Sequence, residues 1–231
     1  QLPLALELSA ASLPTMIADM PDLKTAVKTP VSILNRMITR VKRRLNEVRK
    51  EQEEERKVFI ITGAIGEGKT AWLVKLTGLL RERGVMTGGI LALRIMEEGK
   101  TTGYDITDIR TGDRTPFLRQ TGDAETGVER FTMDEAGHRA GQRALDPALN
   151  RSVDVVIVDE AGPLELRGEG WSERITGILN ETRAIIILAV RKNLIQDVTE
   201  TFGISPTGIT DVANGDVVRF ADEITALTIK R

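Results

Sequence analysis

The chain has 231 residues, of which 41% are hydrophobic, and its formal net charge is −2, with no cysteine and a single histidine. This composition excludes a disulfide framework and thiolate chemistry, argues against a histidine-built metal site, and provides no overall basic field to recruit nucleic acid. No apolar run is long enough to cross a membrane and the N-terminus lacks a signal-peptide pattern, so we expect a cytoplasmic protein. The length suits one α/β domain with an additional segment.

The first 55 residues are predicted to form a helical extension or linker. Residues 1–30 are apolar but interrupted by four prolines, whereas residues 31–57 carry apolar side chains in alternating steps of four and three, which indicates a helical stripe. We interpret the charged faces of that helix as solvated. A short dimerising coil, a basic contact for an anionic partner and a connector to an upstream domain stay open. Because the chain begins with Gln1 rather than Met, we also expect residues upstream.

The main domain is predicted to cover residues 56–231 and to begin with a strand, a loop and a helix. Residues 58–62 are apolar and β-branched, which is typical of a buried strand. Leucines then recur at helical spacing as far as Gly84, which favours the end of a helix. Between them lies a segment that fits the pattern G-x-x-x-x-G-K-[ST] and runs into Ala71: Gly63, Ala64, Ile65, Gly66, Glu67, Gly68, Lys69 and Thr70.

This segment predicts a phosphate-binding loop, because the pattern lies between a strand and a helix. Glycines let consecutive backbone N–H groups face an anion, and the helix that follows adds unpaired N–H groups and the positive end of its dipole. We expect Lys69 to reach the β- and γ-phosphates of a nucleoside triphosphate and the Thr70 hydroxyl to hold Mg²⁺.

The next part of the sequence predicts short strands joined by glycine-containing turns. Residues 85–95, 101–109 and 114–118 are rich in β-forming side chains, and this spacing is typical of an antiparallel hairpin or meander. A polar loop is predicted at 121–130, and a capping box at residues 132–135 predicts a helix that extends to about residue 150. Four arginines in or beside the hairpin are surface residues by default, and one of them is a candidate contact for phosphate: Arg94, Arg110, Arg114 and Arg119.

A second buried strand is predicted at residues 153–158, and it ends in Asp159 and Glu160. An aspartate at the carboxyl end of an apolar strand is the residue that P-loop proteins use, directly or through water, to hold Mg²⁺. The glutamate after it is suited to activate a water molecule for attack on the γ-phosphate. We therefore expect Asp159 to be a metal ligand and Glu160 to be the catalytic base.

The rest of the chain alternates strands and helices. Helices are predicted at 171–182, 193–201 and 220–229, a third buried strand at 184–190, and an edge strand at 212–218. Arg191 follows the third strand and is a candidate for stabilising charge at the site. Together these elements predict a P-loop three-layer α/β/α fold with a mostly parallel sheet, an antiparallel hairpin insertion and an N-terminal helical extension, with ligands at the carboxyl ends of the strands.

From residue 56 to 224 the sequence resembles the THEP1-type nucleoside-triphosphatases. The resemblance rests on GAIGEGKT, on a GGIL…GYDI hairpin followed by TGDRTPFLR, and on VVIVDEAGPLEL. It implies hydrolysis of nucleoside triphosphates with Mg²⁺ and broad base tolerance, with the loop at residues 63–70 for phosphate, Asp159 for the metal and Glu160 as base. The chain departs from the family at Pro163, where many members have Lys, and in the hairpin around Arg94, which lacks the usual acidic pair. Residues 1–55 have no counterpart in the simple members.

The leading functional hypothesis is therefore Mg²⁺-dependent hydrolysis of a nucleoside triphosphate, with ATP or GTP as the expected substrate. A phosphotransferase acting on a small acceptor stays open because of the arginines around the hairpin. A slow nucleotide-dependent switch, in which residues 31–57 report the nucleotide state to a protein partner, is a third possibility. The absence of an N-K-x-D string argues against a dedicated guanine-reading protein, and the 3% aromatic content argues against a stacking platform for nucleic acid.

Overall fold

A computed structural model of the chain describes residues 38–43, 56–121 and 131–229. Contacts within the chain divide it into two compact units, Gln1–Arg56 and Lys57–Arg231. In the first unit, residues 38–43 are helical and exposed. Most of the helix predicted at 31–57, with its predicted partner surface, lies outside the described residues, as does most of the loop predicted at 121–130. The division at residues 55 and 56 stays a prediction.

The described residues of the second unit form one mixed sheet of eight strands with six α-helices around it. The strands are β1 (Val58–Gly63), β2 (Thr87–Glu97), β3 (Lys100–Asp108), β4 (Arg114–Gln120), β5 (Phe131–Met133), β6 (Val155–Ala161), β7 (Ile185–Arg191) and β8 (Gly208–Asp211). The helices are α1 (Lys69–Glu82), α2 (Glu135–Ala144), α3 (Pro163–Leu166), α4 (Ser172–Glu181), α5 (Ile195–Phe202) and α6 (Val217–Ile229). None of these described helices has the length and apolar character that a membrane span requires.

The sheet has the order β5-β4-β3-β2-β6-β7-β1-β8. The strands from β2 through β6, β7 and β1 to β8 run parallel, and β3, β4 and β5 add antiparallel pairings on the other side of β2. β2 therefore pairs in parallel with β6 through its first residues and antiparallel with β3 through the rest. This arrangement confirms the predicted three-layer fold with an antiparallel hairpin insertion.

Two hydrophobic layers cover the faces of the sheet. On one face, α1 and α6 pack Leu73, Leu76 and Phe220 against the strands. On the other face, side chains of α4 and α5, including Ile175 and Val198, form a separate cluster. Alternate residues of β1 enter opposite layers, which explains why the central parallel strands read as continuous apolar runs.

The structure corrects three details of the sequence-based prediction. The helix α2 begins after Asp134, whose carboxylate accepts a hydrogen bond from Ala136 N, so the cap is not Thr132, and the helix ends at Ala144. The edge strand is β8, not residues 212–218, because Val217 begins α6 and packs in its core. The short strand β5 and the single turn of α3 were not predicted, since each is too brief to give a periodic pattern.

Candidate active site

The predicted phosphate loop connects the end of β1 to the first turn of α1. Gly66 and Gly68 have φ angles of 83° and 89°, a left-handed conformation that glycine adopts without steric cost. Gly68 precedes the helix and no side chain caps the first turn of α1. The N–H groups of that turn are therefore oriented toward any anion that the loop encloses. Ile65 in the loop and Ala71 in the first turn of α1 are exposed.

Lys69 is the buried cation of the loop. Its side chain is 7% exposed, and its Nζ donates hydrogen bonds to the carbonyl oxygens of Gly63 and Ala64 at 3.1 and 3.0 Å. The ammonium group is thus held across the loop by two neutral acceptors. A phosphate oxygen would make a stronger, charge-assisted partner for the same group.

Asp159 lies on β6 opposite the start of α1 and is 3% exposed. Burial raises the pKa of its carboxyl to about 6, against the lowering effects of hydrogen bonds from the Thr70 hydroxyl and from Ala92 N. The Ala92 N–H donates to Asp159 Oδ2 at 3.2 Å. The two predicted metal ligands, Thr70 and Asp159, are therefore brought together.

This donor pair fits Mg²⁺, a hard cation that takes oxygen ligands and usually retains water and substrate phosphate in its coordination shell. Within the described residues, no group of three or more acidic, histidine or cysteine side chains could hold a metal. Thr70 and Asp159 would hence supply the protein ligands and leave the remaining positions to phosphate and water.

A β-bulge shapes the carboxyl end of β6. Val158 pairs with Leu188 of β7, but the next pair is Ala161 with Val190, so two residues of β6 lie opposite one residue of β7. The two residues of the bulge are Asp159 and Glu160. Bulges bend a strand and re-aim its side chains, and they occur often beside active sites.

Glu160 is paired with Arg191. Arg191 Nε donates to Glu160 Oε1 at 2.6 Å, and both side chains are about one-third exposed, at 34% and 31%. Arg191 ends β7 in register with Gly63 of the phosphate loop. The structure therefore places all five predicted side chains at one edge of the sheet, namely Lys69, Thr70, Asp159, Glu160 and Arg191. Their chemical roles stay predictions.

The hairpin arginines are mostly engaged within the insertion. Arg114 and Arg119 both pair with Asp105, at 3.3 and 2.5 Å, and Arg110 lies 3.9 Å from Asp108. Arg94 is exposed on β2. The first three thus have acidic neighbours inside the hairpin, which accounts for them without a phosphate contact.

Two carboxylates shape the site through contacts that the sequence did not predict. Glu165 was not a candidate site residue, and Glu67 was expected only as part of the phosphate loop. Glu165 is 4% exposed and accepts hydrogen bonds from Gly162 N and Trp171 N at 2.8 and 3.0 Å, so it fixes the loop that follows the bulge, and burial raises its pKa. A glutamate three residues after a helix cap is a recognisable signal for this contact. Glu67 accepts a hydrogen bond from Ala64 N at 2.5 Å within the phosphate loop, and no sequence pattern predicts that contact.

A family model described as NTPase matches residues 58–215. The nucleoside-triphosphatase THEP1 of Methanopyrus kandleri is 34% identical over 116 residues, which are 50% of this chain and 63% of that protein. THEP1 of Thermofilum pendens is 32% identical over 132 residues, or 56% of this chain and 71% of that protein. THEP1 of Thermoplasma volcanium is 29% identical over 168 residues, or 69% and 91% of the two chains.

Solved structures show the same fold. The crystal structure of THEP1 from Aquifex aeolicus matches with a TM-score of 0.52 at 19% identity and covers 74% of this chain and 98% of that one. A human cancer-related nucleoside triphosphatase matches with a TM-score of 0.54 at 18% identity, with coverage of 76% and 99%. The family match covers the phosphate loop, the β6 bulge and Arg191 alike. The chain therefore belongs to the NTPase family that includes the THEP1 nucleoside-triphosphatases.

Proposed function

We propose that this chain hydrolyses nucleoside 5′-triphosphates to the diphosphate and phosphate in the presence of Mg²⁺, with ATP or GTP as substrate. One observation carries the proposal: a glutamate lies immediately beside the Thr70–Asp159 pair and the phosphate loop at one edge of the sheet. Relatives that share this segment are named nucleoside-triphosphatases, which supports the same reaction here.

The phosphate loop performs binding and orientation. Its glycines and the uncapped first turn of α1 offer N–H groups to the phosphate chain, and Lys69 exchanges its two carbonyl partners for phosphate oxygens. Thr70 and Asp159 hold the metal, and Mg²⁺, when bound, neutralises charge on the phosphates and polarises the γ-phosphoryl group. Removal of Lys69 would leave the loop without its buried cation.

Glu160 takes a proton from the attacking water. As the water oxygen bonds to the γ-phosphorus, the bond from that phosphorus to the β–γ bridging oxygen breaks, and its electron pair leaves with the diphosphate. Arg191 holds the Glu160 carboxylate at 2.6 Å in the nucleotide-free protein and lies beside Gly63. We assign Arg191 two tasks, the positioning of Glu160 and the stabilisation of negative charge as phosphate is transferred.

The test is phosphate release from ATP, GTP, CTP and UTP with Mg²⁺, compared between the wild type and Glu160→Gln. Loss of a general base lowers turnover by about 10²- to 10⁴-fold, so Glu160→Gln should bind nucleotide with little release. Glu223→Gln, which removes the same charge from an exposed position of α6, is the matched control and should retain wild-type turnover. Near-normal release from Glu160→Gln would contradict the assigned role.

Two other outcomes would redirect the proposal. Nucleotide binding by the wild type without phosphate release would favour a phosphotransferase or a nucleotide-dependent switch. A gain in release on addition of small acceptors would support the first, and a nucleotide-dependent change in amide exchange within residues 31–57 would support the second.

A further inference from the structure

We propose that Glu67 is a specificity-determining residue of the phosphate loop, which disfavours metal-free nucleotide and thereby selects the Mg²⁺-bound triphosphate. The inference rests on the proposed function. Glu67 occupies a position that the G-x-x-x-x-G-K-[ST] pattern leaves free, and its carboxylate makes a contact inside the loop.

The Glu67 carboxylate folds back over the start of the loop. Its Oε2 accepts a hydrogen bond from Ala64 N at 2.5 Å, and the Glu67 N–H donates to the Ala64 carbonyl at 3.3 Å. The same oxygen lies 2.9 Å from the position that a Cβ on Gly63 would occupy. The glycine at the start of the motif therefore provides the space into which the carboxylate fits.

Two opposite charges consequently meet on one short stretch of backbone. Lys69 donates to the carbonyl oxygens of Gly63 and Ala64, while Glu67 accepts from the Ala64 N–H. Lys69 attracts a phosphate chain, but the Glu67 carboxylate repels it. Glu67 lies between Gly66 and Gly68, which both have left-handed backbone conformations. The loop thus carries an exposed anionic side chain of its own.

The repulsion depends on the charge of the ligand. A metal-free triphosphate carries more negative charge than its Mg²⁺ complex, so the carboxylate weakens binding of the free form more strongly. Glu67 is exposed, so salt should screen part of this effect. A neutral residue at this position should therefore bind both forms more tightly, and the metal-free form should gain more.

The test uses isothermal titration calorimetry on the full chain with the β,γ-imido analogue of ATP, in excess EDTA and in excess Mg²⁺. The analogue stands for ATP because the proposed reaction would consume ATP itself during the titration with Mg²⁺. Glu67→Gln keeps an acceptor for Ala64 N but removes the charge. We expect its affinity for metal-free ATP to rise about tenfold and its affinity for the Mg²⁺ complex to rise about threefold or less, with the difference shrinking at high ionic strength.

Two control variants separate charge from contact. Glu67→Asp keeps the charge but is too short for the same hydrogen bond, and it should resemble the wild type in the ratio of the two affinities. Glu82→Gln removes the same charge from an exposed position at the far end of α1 and should leave both affinities unchanged.

Each outcome decides the matter. Preferential tightening of metal-free ATP by Glu67→Gln alone supports the inference. Unchanged or weaker binding, equal tightening of both forms, or the same gain with Glu67→Asp overturns it. Failure of the folded wild type to bind ATP in either form would instead count against the proposed function, so the two failures are distinguishable.

Discussion

The parallel half of the sheet and its antiparallel half are built differently. All six residues of β1 and six of the seven in β7 are buried, whereas β4 buries one residue of seven and β5 buries none. The central parallel strands β6, β7 and β1 are covered on both faces, and the antiparallel strands remain partly open to solvent. The candidate site lies at the carboxyl edge of the parallel half, where packing on both faces of the sheet fixes the positions of the strands. Catalytic side chains are therefore expected on the more tightly packed half.

The junction between the halves should be the most sensitive position. Gly89 lies in β2 with a φ of 99°, and a Cβ there would collide with the carbonyl oxygen of Ile157 in β6. We expect Gly89→Ala to lower the free energy of unfolding by about 2–6 kcal/mol, from strained backbone and overpacking together. Denaturant unfolding would measure this change.

Gly78→Ala is the control for that substitution, because it adds a methyl group in open space on α1. It should stabilise the protein by about 0.5–1 kcal/mol. A small effect of Gly89→Ala would mean that β2 can shift against β6, which would contradict a rigid parallel half.

A matched pair of leucines compares the two halves directly. Leu188 in β7 is completely buried, whereas Leu118 in β4 is partly buried. Leu188→Ala should cost about 2–5 kcal/mol of unfolding free energy, and Leu118→Ala about 1–2 kcal/mol, because less of its side chain leaves water on folding. Equal losses in chemical denaturation would show that the antiparallel half is packed as tightly as the parallel half.

Asp159 makes the stability of the parallel half dependent on pH. Burial raises its pKa from 3.8 to about 6, so between these values the native state binds more protons than the unfolded state and stability falls as pH rises. At about 1.36 kcal/mol per unit, the loss in the nucleotide-free protein is about 3 kcal/mol. Asp159→Asn should reduce this slope between about pH 4 and pH 6, and Glu165, whose pKa burial also raises, should account for a smaller remaining slope of the same sign.

Unfolding curves at several pH values would test this expectation in wild type, Asp159→Asn and the control Asp197→Asn, an exposed residue of α5. The control should retain the wild-type slope. A slope as steep in Asp159→Asn as in the wild type would assign the pH dependence to another group.

The smallest effects are expected in the antiparallel half, where charged side chains replace apolar burial. Arg119 pairs with Asp105 and also donates to the carbonyl oxygens of Tyr104 and Leu118, at 2.9 and 2.8 Å. Arg114 makes the longer pair with Asp105, its one ion pair among the described residues, and is half exposed. We expect the free energy of unfolding to fall by about 1 kcal/mol in Arg119→Ala and by about 0.5 kcal/mol or less in Arg114→Ala. Thermal unfolding would rank them, and the reverse order would contradict this account.

The same contrast explains what the sequence could predict. The strands β1, β6 and β7 are continuous apolar runs, and the motif residues follow them directly, so both the fold and the edge that carries the site were predictable. The strand β5 was not, because all three of its residues are exposed. The edge strand was predicted too late in the sequence because Val212 and Val217 are apolar, yet they pack in the same cluster as Phe220 of α6. The observed strand β8 begins instead at Gly208, which lies close to the ring of Phe59.

Within the site, residue types could be predicted but their contacts could not. The β6 bulge consists of Asp159 and Glu160 themselves, so nothing in their spacing distinguishes it from a regular strand. The pairing of Glu160 with Arg191 depends on the register between β6 and β7. The position of Glu67 depends on the conformation of two glycines, which a pattern of identities does not record.

The strand that leads into the phosphate loop has both of its sheet neighbours far along the chain. Val58 pairs with Ile186, and Phe59 pairs with Gly208, whereas β3 and β4 pair with strands next to them in sequence. During synthesis the antiparallel strands can therefore pair before β7 and β8, the partners of β1, have been made. A nascent chain that stops before residue 185 contains the whole phosphate-loop motif without the sheet that supports it. We therefore expect the loop to bind nucleotide only after β7 and β8 have paired with β1.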